Sequence, residues 1–152
     1  MYKRQFLPYP NFTTTARILD DKRLGKQRVE CIQILNALRK PNYGWTHHPA
    51  VKMWRGYEYG LTVYGKVICD EWKRRGFKDT CWGKLDAIQF EILGQNRDYR
   101  STPFEVAHPM PKWLDDARLS LSHRGNLIRK DPAHYTKFFP EVEPMEGYWW
   151  PV

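Results

Sequence analysis

A chain of 152 residues can close one domain around a real core and is too short for two comfortable ones. Its formal charge of +8 and pI of about 9.5 favour a polyanionic partner, nucleic acid ahead of acidic membrane. Cys31, Cys69 and Cys81 are odd in number and far apart, which excludes a short Cys-x-x-Cys metal turn and argues against a disulfide framework. With no signal-peptide pattern and no apolar run long enough to span a bilayer, a cytoplasmic protein without a membrane partner is expected.

Residues 1–12 contain Pro8 and Pro10, which break helical and strand patterns alike, so an extended arm is expected, pinned by Phe6, Leu7, Tyr9 and Phe12. The first five residues have the character of an upstream prefix, which sets the working start nearer Phe6. A first helix should begin at residues 13–15, where threonine hydroxyls can cap it, and run to about Arg39 before Pro41 and Gly44. Leu24, Cys31, Ile32, Ile34, Leu35 and Leu38 share its core side. Lys22, Arg23, Lys26, Glu30 and Gln33 share the other, within an arc of roughly 100°. Arg28 falls among the apolar positions, so it either reaches out along its stem or is paired inside.

After a loop over 40–48, Pro49 suits the first turn of a second helix that should reach Gly76, a fitting C′ residue. Its core stripe is Trp54, Tyr57, Leu61, Tyr64, Ile68 and Trp72. Gly56 and Gly60, one turn apart, read as close-approach points for a neighbouring helix rather than as turns. Residues 77–111 are the least legible: Leu85, Ile88, Ile92 and Leu93 allow a short helix, and three prolines keep the remainder irregular. A third main helix follows Pro111 and runs through Trp113, Leu121 and Ile128, with Gly125 its weak point. Asp131-Pro132 then opens a short helix from His134 to Phe139. No segment alternates at period two. The expected fold is all-α, three main helices with long irregular loops, in a single domain over residues 1–152.

Chemistry is bounded by what is missing as much as by what is present. His47-His48 are adjacent, which suits one metal poorly, and no His-x3-His or His-Glu-x2-His pattern occurs, so no metal and no cofactor is expected. Phosphate-loop and nucleophile-elbow patterns are absent too. What remains is Glu30 beside Lys22, Arg23 and Lys26. That face is either a solvated surface with i,i+4 ion pairs or an anion-binding surface built around one acid. A lone carboxylate near phosphate-binding groups can stabilise an oxocarbenium-like sugar or move protons around an imine. The second role needs an amine nucleophile, either the α-amino group or a lysine. Aromatic residues, 15% of the chain, often neighbour cations, as in Glu71-Trp72-Lys73-Arg74-Arg75, a mixture suited to phosphate contact and base stacking as well as to a core.

Three blocks then carry a resemblance. Leu19-Asp20-Asp21-Lys22-Arg23-Leu24 with Glu30, Lys73-Arg74-Arg75-Gly76-Phe77-Lys78-Asp79-Thr80, and Leu127 to Phe139 around Asp131-Pro132-Ala133-His134-Tyr135 occur in this order. They resemble, respectively, the first helix, the end of the second helix and the C-terminal Pro-x-Trp-Tyr-Lys-Tyr-Tyr segment of the pyrimidine-dimer DNA glycosylase family (phage endonuclease V-like). His48-Pro49 is similar to a His-Pro step of bacterial relatives. The resemblance implies an all-α fold and a cofactor-free DNA glycosylase with abasic-site lyase activity, acting on DNA through an imine formed by an N-terminal amine.

Carried over by position, Glu30 is the catalytic glutamate and the amine of Met1 the nucleophile. Lys22, Arg23, Lys26, His48, Arg124 and His134 are DNA-binding candidates, with His123 an alternative to Arg124. The chain departs from the pattern in two places: Met1 precedes bulky Tyr2, and His134 stands where the family carries a DNA-gripping tryptophan. A damaged or modified base other than a pyrimidine dimer is therefore equally admissible as substrate. A monomer is expected. Two readings compete: a non-catalytic nucleic-acid-binding accessory protein of the same fold, and a nuclease or RNA-directed hydrolase using His48 or His123.

Overall fold

A computed structural model describes residues 5–44, 47–95 and 103–152. Among these residues the regular structure is entirely helical: α1 Phe12–Ile18, α2 Asp21–Arg39, α3 Pro49–Trp54, α4 Glu58–Arg74, α5 Trp82–Gln95, α6 Phe104–Ala107, α7 Ala117–Lys130 and α8 Pro132–Tyr135. A single 3-10 turn, Lys112–Asp115, precedes α7. The expected all-α class holds. The packing centre is the α2–α4 pair; α1 and α5 lie on α4, α3 lies on α2, and α7 carries α8. No helix among the described residues is long and apolar enough to cross a membrane.

Each of the three long helices expected from periodicity is divided. The first breaks at Leu19-Asp20, where Asp20 adopts extended backbone and caps α2 through its side chain, which accepts from the Arg23 amide. A capping carboxylate competes with helix continuation, and here a distant partner reinforces it. The Asp20 amide donates to the Tyr135 hydroxyl at 3.0 Å, and that hydroxyl donates back to the Asp20 carboxylate. The second breaks at Arg55-Gly56-Tyr57. Gly56 has φ +87°, so it marks a turn, contrary to the close-approach reading. Gly60 does admit a neighbour, but the neighbours are the Pro111 and Met110 side chains rather than a helix backbone. In the third, Pro111 leads into the 3-10 turn and Asp116 recaps α7 by accepting from the Arg118 amide.

The remaining differences are local. Gly125 is no weak point: it lies buried in α7, and a β-carbon there would sit 2.5 Å from Cβ of Met145. The last helix begins at Pro132 and stops at Tyr135, short of the expected Phe139, which folds inward to lie parallel to the Tyr135 ring. The core face of α2 contains Leu24, Cys31, Ile34 and Leu35 as expected, while Ile32 and Leu38 are only partly buried.

The N-terminal arm is the least regular buried element. Gln5, Phe6 and Leu7 are almost wholly buried, so their backbone groups need partners from side chains. Phe6 N–H donates to Gln27 Oε1 at 3.2 Å, and the Tyr64 hydroxyl donates to Phe6 O at 2.6 Å. Leu7 N–H donates to His123 Nδ1 at 2.9 Å, and Arg124 Nε donates to Pro8 O at 2.7 Å.

His123 therefore accepts as a neutral ring, and burial pushes its pKa down from 6.5 to about 3. The unfolded chain binds this proton and the folded chain does not. The stabilisation is complete above pH 6.5 and is lost as pH falls from 6.5 toward 3, on the order of 1.4 kcal/mol per pH unit. Urea titrations across that window should show this slope, and His123→Asn, which keeps an acceptor for Leu7, should flatten it.

Candidate active site

The cationic face of α2 forms one side of a cleft of about 680 Å³. Lys22, Arg23, Lys26, Glu30 and Gln33 come from α2, Phe6 from the arm and Trp72 from α4. Lys22, Lys26 and Glu30 recur every four residues, so a single helix stacks them along one edge. Lys22 and Lys26 are exposed, whereas Glu30 is half-buried.

Arg23 is held in place. Its guanidinium lies 3.1 Å from Asp20 Oδ1, the carboxylate that caps its own helix. Burial pushes the Asp20 carboxyl up, but hydrogen bonds from the Tyr135 hydroxyl and Arg23 outweigh it and hold the group below the ordinary carboxylate value. Part of the C-terminal block that carries the family resemblance thus reaches the cleft indirectly, through Tyr135, Asp20 and Arg23.

Glu30 is held too. Gln27, fully buried and one turn earlier, donates from Nε2 to Glu30 Oε2 at 3.2 Å. The other end of the same amide takes the Phe6 N–H. The acid and the arm are therefore joined through one side chain.

Trp72 of α4 adds an aromatic wall that packs against α2. Gly25 lies against its ring: a β-carbon there would come within 2.9 Å of Cη2. The indole donates to Lys78 O at 3.0 Å and stacks on Phe77 with centroids 4.2 Å apart. Arg28, whose placement the periodicity left open, is paired inside. Its guanidinium lies 2.6 Å from Asp79 and 4.4 Å from the centre of the Trp72 ring. Asp79 also accepts the Cys81 and Trp82 amides at the start of α5. Burial pushes its carboxyl up, and the bonds from Arg28, Trp82 and Cys81 bring it below the ordinary value. Within the second resemblance block, Phe77, Lys78 and Asp79 support the wall.

Of the candidates read from sequence, Lys22, Arg23, Lys26 and Glu30 meet in this cleft. His48, Arg124 and His134 do not line it. His48 caps α3 by accepting the Ala50 amide, with its ring edge-on to Trp150 at 6.2 Å. Arg124 holds Pro8 and covers the Tyr9 ring at 4.6 Å. His134 Nε2 lies 2.8 Å from Ile18 O. His123 is fully buried, which removes it from any phosphate contact. Met1 lies outside the described residues. Phe6, Gln27 and Trp72 were missed as site residues. Gln27 had a signal, since a polar residue three after Leu24 and four before Cys31 interrupts the apolar stripe.

The cleft, helical in all its described walls but the arm, sets two carboxylates, Asp21 and Glu30, among four cations, Lys22, Arg23, Lys26 and Arg28, a lining of the kind that suits a phosphate-bearing polymer. The chain is a member of the pyrimidine dimer DNA glycosylase family: the family's sequence model matches residues 4–83, just over half of the chain, including the arm, α2 and the α4 wall. The family makes DNA glycosylase the general activity and DNA the substrate. No curated protein and no solved structure gives a match.

If Lys22 and Lys26 contact phosphates, Lys22→Ala and Lys26→Ala should each weaken DNA binding alike across sequences. Each should make the slope of log affinity against log salt shallower by about 0.9 per contact removed. Fluorescence anisotropy over a salt series measures both, and unaltered slopes would place the DNA on another face.

Proposed function

We propose that this protein is a DNA glycosylase with abasic-site lyase activity, which excises a damaged or modified base through an imine and needs no cofactor. One observation carries the reading: Glu30 stands half-buried in a cationic cleft, with its carboxylate hydrogen-bonded to a side chain that also holds the N-terminal arm. A face of purely solvated charges would leave the acid exposed, whereas here a buried amide donates to it.

In this mechanism the base is turned out of the duplex into the cleft, with Lys22, Arg23 and Lys26 on the flanking phosphates. A neutral amine attacks the deoxyribose C1′ as the bond from C1′ to the base breaks and the base leaves with a proton; the C1′–O4′ bond then opens, O4′ takes up a proton as the attached nitrogen gives one up, and a ring-opened imine remains. The Glu30 carboxylate then takes a proton from C2′, and the C3′–O bond breaks by elimination.

The amine is assigned to the α-amino group of the mature N-terminus, Met1 in this numbering if no residue is removed, rather than to Lys22 or Lys26. An α-amine has an ordinary pKa of about 7.7–8.0, so roughly a tenth is neutral near pH 7; at about 10.4 a lysine has well under a thousandth. Docking of Gln5–Leu7 beside Gln27 supports delivery of that amine to Glu30. The protein is taken to act as a monomer, in the cytoplasm.

Glu30→Gln should keep the fold and DNA affinity and lose strand cleavage by about 10²–10⁴-fold, the range typical of a proton-transfer residue. The assay is cleavage of duplexes carrying a pyrimidine dimer, other damaged or modified bases, or an abasic site. Unchanged cleavage by the variant would remove Glu30 from the chemistry. Tight binding without cleavage of any substrate by the wild-type protein would favour the accessory-protein reading.

A further inference from the structure

We propose that Gln27 is the positioning residue of the site: its amide sets both the orientation and the charge of Glu30 and couples them to docking of the N-terminal arm. The inference rests on the glycosylase–lyase reading for its kinetic consequence, but its structural half stands on geometry alone.

The two ends of the Gln27 amide are distinguished by their neighbours. Phe6 offers a backbone N–H, which can only donate, so the atom facing it at 3.2 Å must be Oε1. The Tyr64 hydroxyl, 3.1 Å away, faces the same oxygen. Nε2 is then turned toward Glu30 Oε2, where an N–H donor favours the carboxylate over the carboxylic acid. A flipped amide would set a carbonyl against a carboxylate and an N–H against an N–H. Gln27 is fully buried, so water cannot take over either bond. Retracting the arm would remove the Phe6 N–H from Oε1 and leave the Tyr64 hydroxyl as its remaining partner, loosening the amide that holds the acid.

The simpler alternative is that Gln27 only anchors the arm. Gln27→Glu separates the two roles, because a carboxylate oxygen still accepts from Phe6 while the donor to Glu30 is lost. Two carboxyl groups so close share a proton, and one of them titrates higher. Gln27→Met removes both bonds at similar volume and without adding charge.

Two measurements decide. With ¹³C-labelled glutamate, the titration midpoint of the Glu30 carboxyl is followed by NMR in wild type and variants. Single-turnover cleavage of abasic-site DNA is measured with protein in saturating excess, so that affinity drops out. The inference expects the Glu30 midpoint to rise by about one pH unit or more in Gln27→Met, and the upper midpoint of the carboxyl pair in Gln27→Glu to lie at least as far above the wild-type Glu30 value. Cleavage at pH 7 should slow by about tenfold or more, with wild-type helical content retained. If one variant fails to fold, the other carries the test. An unmoved midpoint and an unchanged rate in a folded variant would overturn the positioning role. A shifted midpoint in a protein whose wild type cleaves nothing would leave Gln27 as the organiser of Glu30 and overturn the catalytic reading instead.

Discussion

The constraint on which the rest of the structure depends is the burial of an irregular stretch of backbone. Gln5–Leu7 lies in the core without a strand or helix to satisfy its amides and carbonyls. An unpaired buried peptide group costs about as much as a lost hydrogen bond, so side chains must supply the partners. Gln27 on α2, Tyr64 on α4, and His123 with Arg124 on α7 do so. Four otherwise odd features follow from this one need: a glutamine on an apolar stripe, a tyrosine buried to its hydroxyl, a histidine kept neutral, and an arginine turned away from solvent. The arm also ties α7 to the α2–α4 pair.

Function grows from the same arrangement. A helix that must pair with the arm on one side is left with its cationic side facing out, and the amide that meets the arm is one turn from Glu30. The Trp72 wall is held by a buried ion pair, Arg28 with Asp79, whose guanidinium also lies on the Trp72 ring. Such a pair adds little net stability but is costly to break singly, which suits a role in holding a wall in register. The cleft thus has hydrogen-bonded or packed partners for its acid, for Arg23 and for Trp72, while Lys22 and Lys26 are exposed.

Much of this was legible in the chain because helical periodicity is a local property. The core side of α2, its cationic side with Glu30, and the capping roles of Pro49 and Asp131-Pro132 could all be read from spacing. Helix breaks could not. Asp20 reads as an ordinary helix residue until Tyr135, 115 positions away, is known to hold it, and Gly56 declares a turn only through its positive φ. The site was half legible for the same reason. Lys22, Arg23, Lys26 and Glu30 share one helix, whereas Phe6 and Trp72 arrive by tertiary folding. His48, Arg124 and His134 were chosen by chemical type and positional likeness, and their hydrogen bonds are given to a helix cap, to the arm and to the end of α1. A polar side chain chosen by type alone is as often a partner for buried backbone as a ligand for a substrate.

The most direct test of a catalytic cleft fed by an amine is chemical trapping. The protein is incubated with abasic-site DNA under borohydride, and the adduct is digested and mapped by mass spectrometry. The expected product is a covalent protein–DNA adduct whose label lies on the N-terminal peptide and whose formation is blocked by N-terminal acetylation. Trapping no greater than that of an inert basic protein, or label on Lys22 or Lys26 with full trapping after acetylation, would contradict that expectation.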